Sequence, residues 1–407
     1  MKADAARTDP SLRHERSRAS PDALEQRLAQ VVEAYDSQGS HRSGTDVDHR
    51  SGEWLAGQAR RLGIEAALEP FAIDRVDPQS CYLRVADRCI GGVPLFDAAF
   101  TGPHGVHGRL GALGSDAEIA VAETAPFTLT RPQCEQSDAV AAARQSRHKA
   151  VVLLTRGSTP GLFLLNALSF GKPVGPPMLQ VSSVETQWLN AQTAASAEAK
   201  VVASVGQRAV QAFNVTARIA GSDPELPPLV VMTPRSGWWH CASERGGGLA
   251  CWLEAMRVLA RAKPARDCFF VACSGHELGF LGIDAYLHGR PDLIKRASHW
   301  IHFGANIGSP RQANLIHASD DAVERWAVAV LAKEGLTVNA TAERGSVPRG
   351  EAGALHRGGA RYVALVCGTE VFHHAADRWP DAVDLGLLAR YARAFANGAL
   401  QLAGRDM

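Results

Sequence analysis

The stretch that most constrains this chain runs from Asp267 to Leu287, DCFFVACSGHELGFLGIDAYL. Its first part, Cys268 to Cys273, is an apolar run of the length and composition of a strand buried on both faces. The run stops at Ser274-Gly275, presents His276 and Glu277, and passes through Leu278-Gly279 into a helical pattern. A buried strand, a small-residue turn and a helix form the repeating unit of a parallel sheet. The turn puts both titratable side chains at the carboxyl edge of that sheet, where open α/β folds bind ligands. A solvated turn has the same local pattern, so partners elsewhere in the chain must decide between the two.

The rest of the chain repeats the theme. Helical spacing is expected from Pro21 to Tyr35, with Ser20 as N-cap, and from about His49 to Leu62, with Gly63 at its end. Leu229 to Thr233 reads as a buried strand that ends at Pro234-Arg235-Ser236-Gly237-Trp238-Trp239-His240. Gly246-Gly247-Gly248 lets a helix, roughly Leu249 to Ala262, start close to the sheet; the run lacks the spacing and Lys of a phosphate loop. His299 to Gly304 and Tyr362 to Cys367 read as further strands, Ala322 to Gly335 as a helix, and Val383 to Leu402 as a final amphipathic helix. Between about Asp77 and Gln207 the texture changes to short strands with frequent Gly and Pro, and no cluster with metal-ligand spacing appears. The expected organisation is a polar, disordered arm at 1–20, a main α/β domain from 21–76 and 208–407, and an inserted domain at 77–207.

Charge and cysteine usage exclude several classes. With 43 Lys and Arg against 42 Asp and Glu, the formal net charge of +1 gives no general attraction to nucleic acid or anionic membranes. No apolar run reaches the roughly 18 residues of a membrane span, and the first 22 residues lack the apolar core of an export signal. The eight cysteines form no CxxC pair, so reduced thiols and a cytoplasmic location are the expectation. Oligomeric state is not legible.

Taken together, these pieces resemble the aminopeptidase-type zinc metallopeptidases of family 28, which include the glutaminyl cyclases. Five segments carry the resemblance: LVVMTPRS, ASERGGGLA, SGHELGFLGI, FGANIG and FHHAADRWPD. It spans about Leu24 to Leu402 and implies a zinc-exopeptidase-like fold: a mixed, mostly parallel central sheet flanked by helices, with 77–207 as a protease-associated-like insert. At the metal-binding positions the match is partial. The family's first ligand His falls on Thr233 and the Asp two residues on falls on Arg235. The bridging Asp falls on Glu244, with Arg245 beside it. The general-base Glu falls on His276 and the ligand Glu on Glu277. The fourth-motif Asp falls on Ala305, the last ligand His on His373, and the Asp of that motif on Asp377.

What the resemblance implies is a degenerate site. One metal position has lost two of its three ligands, whereas Glu244, Glu277 and His373 still supply a one-zinc set with an open fourth position. The alternative is a metal-free cluster in which arginines take the place of metal cations. His276 has three readings: a general base, a metal ligand, or a hydrogen-bonded histidine of an inactive site. Without metal, His276 and Glu277 remain an acid–base pair. Arg235, Arg245 and Arg349, with Glu351, come from segments that the family fold brings to one mouth, and arginine forks suit a small anionic substrate; salt bridging is the plainer reading of each. Trp238 and Trp239 are read as pocket lining or core, and His240 as a pocket residue; its pairing with Cys241 as a nucleophilic dyad is disfavoured because adjacent side chains rarely meet. Two functions are thus expected in competition. One is a divergent hydrolase acting on an amide-like bond, distinct from an ordinary two-zinc aminopeptidase. The other is a silent relative that binds a small molecule or protein in the old cleft.

Overall fold

The computed structural model describes residues 22–124, 138–310 and 313–404. The expected arm at 1–20 and the expected cap Ser20 lie outside the described residues. The first helix, Ala23–Asp36, is instead capped by Asp22, whose carboxylate accepts from the Leu24 and Glu25 N–H groups at 2.8 Å each. Leu24, Leu28, Val32 and Tyr35 recur at helical spacing and are all buried.

Four parallel strands form the heart of the sheet, in the spatial order Tyr362–Cys367, His299–Phe303, Leu229–Pro234 and Cys268–Cys273. Each was legible as an apolar run because helices or loops cover both faces. Antiparallel strands flank this block: Asn314–Ala318 beside Tyr362–Cys367, and Glu198–Ile219 beside Cys268–Cys273. The sheet is therefore mixed and mostly parallel at its centre, with helices around it. The Asn314–Ala318 strand was not anticipated.

The Gly246–Gly248 run lets a helix start against the sheet. A Cβ on Gly247 would lie 1.9 Å from the Ile307 carbonyl oxygen, and one on Gly248 would lie 2.8 Å from Thr233 Oγ1. The helix itself, Gly247–Ala262, follows a π-helical turn at Ala242–Gly246 that places Glu244 and Arg245 below the carboxyl edge. Its Trp252 meets Phe270 edge-on at 5.6 Å. The last helix, Leu385–Leu402, packs on it through Leu388, Tyr391, Ala392, Phe395, Ala399 and Leu402, all buried on one face.

The long strand Glu198–Ile219 pairs along its length with Ala66–Val85. From its far end the sheet continues through Val106–Ala112, Ile119–Thr124, Ala150–Thr155 and Met178–Ser182. This region has apolar clusters of its own, around Leu83, Ile119, Val152 and Leu189, and around Val140, Val151 and Leu153. No break in strand pairing separates it from the main sheet, so the fold gives no boundary for a distinct inserted domain.

Candidate functional site

Two neighbouring parallel strands end together, with Cys273 in register with Pro234. The segments just beyond them carry Arg235-Ser236 and Ser274 to Glu277. Gly275 and Gly279, both at φ +81°, bracket the short turn that holds His276 and Glu277. Left-handed backbone at both ends makes glycine the natural residue there.

Glu277 is fully buried and held at both oxygens. Oε1 accepts the Ser43 N–H at 2.6 Å, and Oε2 accepts the Ser236 hydroxyl at 2.8 Å. The Ser43 hydroxyl accepts the Gly275 N–H at 2.8 Å, and Ser274 donates to Asp48 at 2.9 Å. A loop near the N-terminus thus closes on the turn and seals its carboxylate.

Arg235 does not face a substrate. Its side chain is 0% exposed, paired with the Asp48 carboxylate at 2.8 Å, and donates to the Asp48 and Phe213 carbonyls at 2.8 and 2.6 Å. Burial raises the Asp48 pKa, and Arg235 offsets part of that rise. The anion-clamp expectation for Arg235 is corrected by this geometry: the fork is committed inside the protein. Arg245 is equally buried; Nε donates to the Ser236 carbonyl at 2.8 Å and Nη2 lies 2.6 Å from Glu244 Oε1. That contact is close but poorly aligned for a hydrogen bond. Arg349 stands half-buried just ahead of Glu351.

Glu244 also faces His373, whose Nε2 lies 3.4 Å from Oε1. His373 Nδ1 lies 2.7 Å from the Leu164 carbonyl, which only accepts, so the ring proton sits on Nδ1 and Nε2 is bare. Burial pulls the His373 pKa down to about 4. Burial pushes the Glu244 carboxyl up, but the Arg245 guanidinium, the His373 and His276 rings and the His373 N–H together outweigh it, and the carboxyl lies below its ordinary value. Asp377 caps the π-helical turn, accepting from Ser243 N–H at 2.7 Å and Glu244 N–H at 2.9 Å, and burial raises its pKa to about 7.

His276 pairs with Glu351. Nδ1 lies 2.8 Å from Glu351 Oε1, and the second oxygen lies 3.6 Å from Nε2 of His302 on the strand His299–Phe303. Burial alone would raise the Glu351 pKa; the two imidazoles outweigh it and hold the carboxyl well below the usual range. Among the described residues His276 Nε2 has no hydrogen-bond partner, and it is not one of the buried polar atoms left unpaired. This is a carboxylate-oriented imidazole with one nitrogen available, the arrangement of a general base. The expected pairing of His276 with Glu277 is replaced by pairing with Glu351, which had been placed among substrate-binding residues.

The aromatic residues divide. Trp238 is core-like: it donates to Asn166 Oδ1 at 3.1 Å and meets Phe96 edge-on at 5.0 Å. Trp239, half-buried, donates to the His373 carbonyl at 2.9 Å. His240 is half-buried, with its pKa lowered by burial. Cys241 Sγ contacts Glu244 Oε2 at 3.6 Å, and burial raises its thiol pKa well above the ordinary value, which leaves no activated nucleophile. Beside the loop that carries His373 is a cavity of about 490 Å³ whose lining includes Glu370 and Asp381. Sequence reasoning missed Ser43, Asp48, Ser236 and His302.

The residues present do not fit a metal ion held as the resemblance implies. Glu244 and His373 face one another, but Glu277 is closed off by Ser43 and Ser236, and a guanidinium stands on Glu244. Among the described residues no group of three His, Cys, Asp or Glu side chains is arranged to hold a metal.

No protein-family model and no curated protein sequence matches the chain. Solved structures do. A zinc aminopeptidase from Bacillus subtilis matches with TM-score 0.74 at 18% identity, covering 94% of this chain and 95% of that one. A peptidase M28 precursor from Shewanella amazonensis matches with TM-score 0.75 at 16% identity, over 94% and 96%. An aminopeptidase from Aneurinibacillus sp. strain AM-1 matches with TM-score 0.68 at 17% identity, over 93% of each chain. The class the fold defines is therefore the M28-type aminopeptidase scaffold. At these identities the likeness concerns the fold alone.

Proposed function

We propose that this chain is a divergent hydrolase that cleaves an amide-like bond of a small substrate, with His276 as general base and Glu351 as the carboxylate that orients it. The observation that carries this reading is the 2.8 Å contact between His276 Nδ1 and Glu351, which leaves Nε2 unpaired. In the forward step Nε2 takes a proton from the attacking water and then delivers it to the departing nitrogen, while Glu351 stabilises the imidazolium formed in between. Because the donor set does not fit a metal, no step is routed through one.

The substrate is neutral or amine-bearing rather than anionic on this reading, since Arg235 and Arg245 are both engaged internally. The unit at 77–207 belongs to the same proposal as an insert of the protease-associated type in a main domain of 21–76 and 208–407. Its support is the segment from Leu164 to Ala167, which meets His373 through both main-chain groups of Leu164 and donates from Ala167 N–H to the Glu277 carbonyl. A cytoplasmic site of action rests on the scattered cysteines.

A binding-only relative is the second reading, favoured by the sealing of Glu277 and both arginines inside the fold. Hydrolysis of a panel of aminoacyl and N-acyl amides decides between them. Under the hydrolase reading, His276→Ala removes turnover and leaves the far-ultraviolet spectrum unchanged. Turnover that survives His276→Ala removes the base assignment, and tight substrate binding without turnover establishes the second reading.

A further inference from the structure

We propose that Arg245 is the resident cation of this site: its guanidinium stands where the resemblance places a metal ion, and it is what keeps metal out. This goes beyond the hydrolase reading, because it concerns which cation balances Glu244 whether or not the site turns over.

Three observations converge. Glu244 Oε1 lies 2.6 Å from Arg245 Nη2 and 3.4 Å from His373 Nε2, so one oxygen serves the guanidinium and faces the imidazole. All three of these atoms are buried without an aligned hydrogen bond, as expected where a carboxylate and a bare imidazole nitrogen converge on a cation. Arg245 is anchored there by its Nε bond to the Ser236 carbonyl at 2.8 Å, and Ser236 uses its hydroxyl to hold Glu277 at 2.8 Å. One residue thereby fixes the guanidinium on Glu244 and keeps the third candidate ligand turned away.

The neighbouring positions agree. Thr233, where the resemblance places a histidine ligand, is fully buried, donates to the Phe303 carbonyl at 2.9 Å, and lies where a Cβ on Gly248 would come within 2.8 Å. There is no room at that contact for a larger ring without displacing the helix start. Ala305, at the lost aspartate, supplies no donor. A divalent ion on Glu244 Oε1 would have to share that oxygen with a fixed guanidinium inside a buried site, where like charges repel most strongly. A buried arginine also keeps its charge at any pH the fold survives, unlike a lysine in the same place.

The test uses the full chain, stripped of metal and titrated with Co²⁺ and then Zn²⁺, with visible absorption and elemental analysis as readouts. The wild type is expected to retain less than a tenth of an equivalent of either metal after desalting. Arg245→Met, which removes the charge and keeps the length, is expected to bind Co²⁺ at least tenfold more tightly. Adding His373→Ala to it should reverse the gain. One tightly held metal per wild-type chain, lost in His373→Ala, overturns the proposal. So does a folded Arg245→Met that gains no affinity. If Arg245→Met does not fold alone, the pair is read by melting: Glu244→Gln with Arg245→Met is expected to melt above either single variant. A double variant that melts no higher than the singles also overturns the assignment of Arg245 as the counter-ion of Glu244. Loss or retention of amide hydrolysis in these variants bears on the hydrolase reading and not on metal exclusion.

Discussion

Arg235→Met separates a structural arginine from a substrate-binding one. The guanidinium makes an ion pair with Asp48 at 2.8 Å and donates to the Asp48 and Phe213 carbonyls, with no part of the side chain exposed. Methionine fills much of the same volume but removes every donor, which leaves Asp48 as a buried carboxylate without its cation. Breaking a buried pair from one side costs about 3–5 kcal/mol, which in a chain of this size lowers the Tm by roughly 4–6 °C. The assay is urea denaturation at pH 7.5, where an unchanged m-value with a lower midpoint identifies a loss of stability rather than a changed denatured state. The pH dependence has a definite sign. Burial already raises the folded pKa of Asp48, and losing Arg235 raises it further. A raised carboxylate costs stability above its folded pKa, and the cost is relieved as the pH falls through that value. The deficit relative to wild type should therefore shrink between pH 7.5 and pH 5, and Asp48→Asn should restore part of the stability of Arg235→Met at pH 7.5. Unchanged stability together with weakened substrate binding would refute the structural assignment and return Arg235 to the substrate.

Three further measurements follow from the site. Glu351→Gln should lower kcat on any amide substrate by about a hundredfold with KM little changed, because an amide cannot stabilise the imidazolium of His276; an unchanged kcat would detach Glu351 from the chemistry. Asp377 has a folded pKa raised from 3.8 to about 7 by burial. It therefore destabilises the fold progressively as the pH rises from about 4 to 7, by on the order of 4 kcal/mol in full, and Asp377→Asn should flatten the stability profile in that window. Asp22→Ala should cost about 1 kcal/mol by uncapping the first helix, and amide exchange confined to Leu24 and Glu25 would show the loss.

The parallel strands and the turn at His276–Glu277 were legible because they rest on local pattern: apolar runs, small-residue turns and helices that start at glycine. The site was legible only as a list of residues. His276 is a candidate base from its place in the turn, but its partner is 75 positions away in the chain, and nothing in the spacing distinguishes Glu351 from Glu277 beside it. Glu277 is a ligand candidate by the resemblance alone, and its environment depends on Ser43, 234 positions upstream, whose main-chain N–H closes the carboxylate. A main-chain donor leaves no mark in sequence. The arginines stay open between substrate and salt bridge in the sequence for a related reason, since a fork suited to a substrate carboxylate suits Asp48 or Glu244 equally well. His302 did leave a signal, as a polar side chain in the strand HWIHF, which is buried along its whole length. A histidine in such a strand needs a partner, and Glu351 is the carboxylate that faces it.

The charges of the site disfavour the binding of an anion. Asp48, Glu244, Glu277, Glu351 and Asp377 are five buried carboxyl groups, and Arg235 and Arg245 are two buried guanidiniums, so the carboxyl groups are in surplus. They are handled differently. Glu277 is stabilised by the Ser43 N–H and the Ser236 hydroxyl, neither of which changes its charge in a reaction. Glu351 is stabilised by imidazoles, which can. A proton moved from water to His276 Nε2 leaves the total charge of the site unchanged: the positive charge forms at the side chain already aligned with Glu351, and the negative charge passes with the attacking oxygen to the substrate. A substrate carboxylate would add to the surplus, in a site whose arginines are both engaged. A neutral amide, or one that carries an ammonium group, meets no such penalty. Amide substrates that differ only in a terminal carboxylate or amine should therefore separate in KM in favour of the amine, and the preference should weaken with added salt. A preference for the carboxylate that strengthens when salt is removed would show that a cation other than Arg235 or Arg245 governs the entrance.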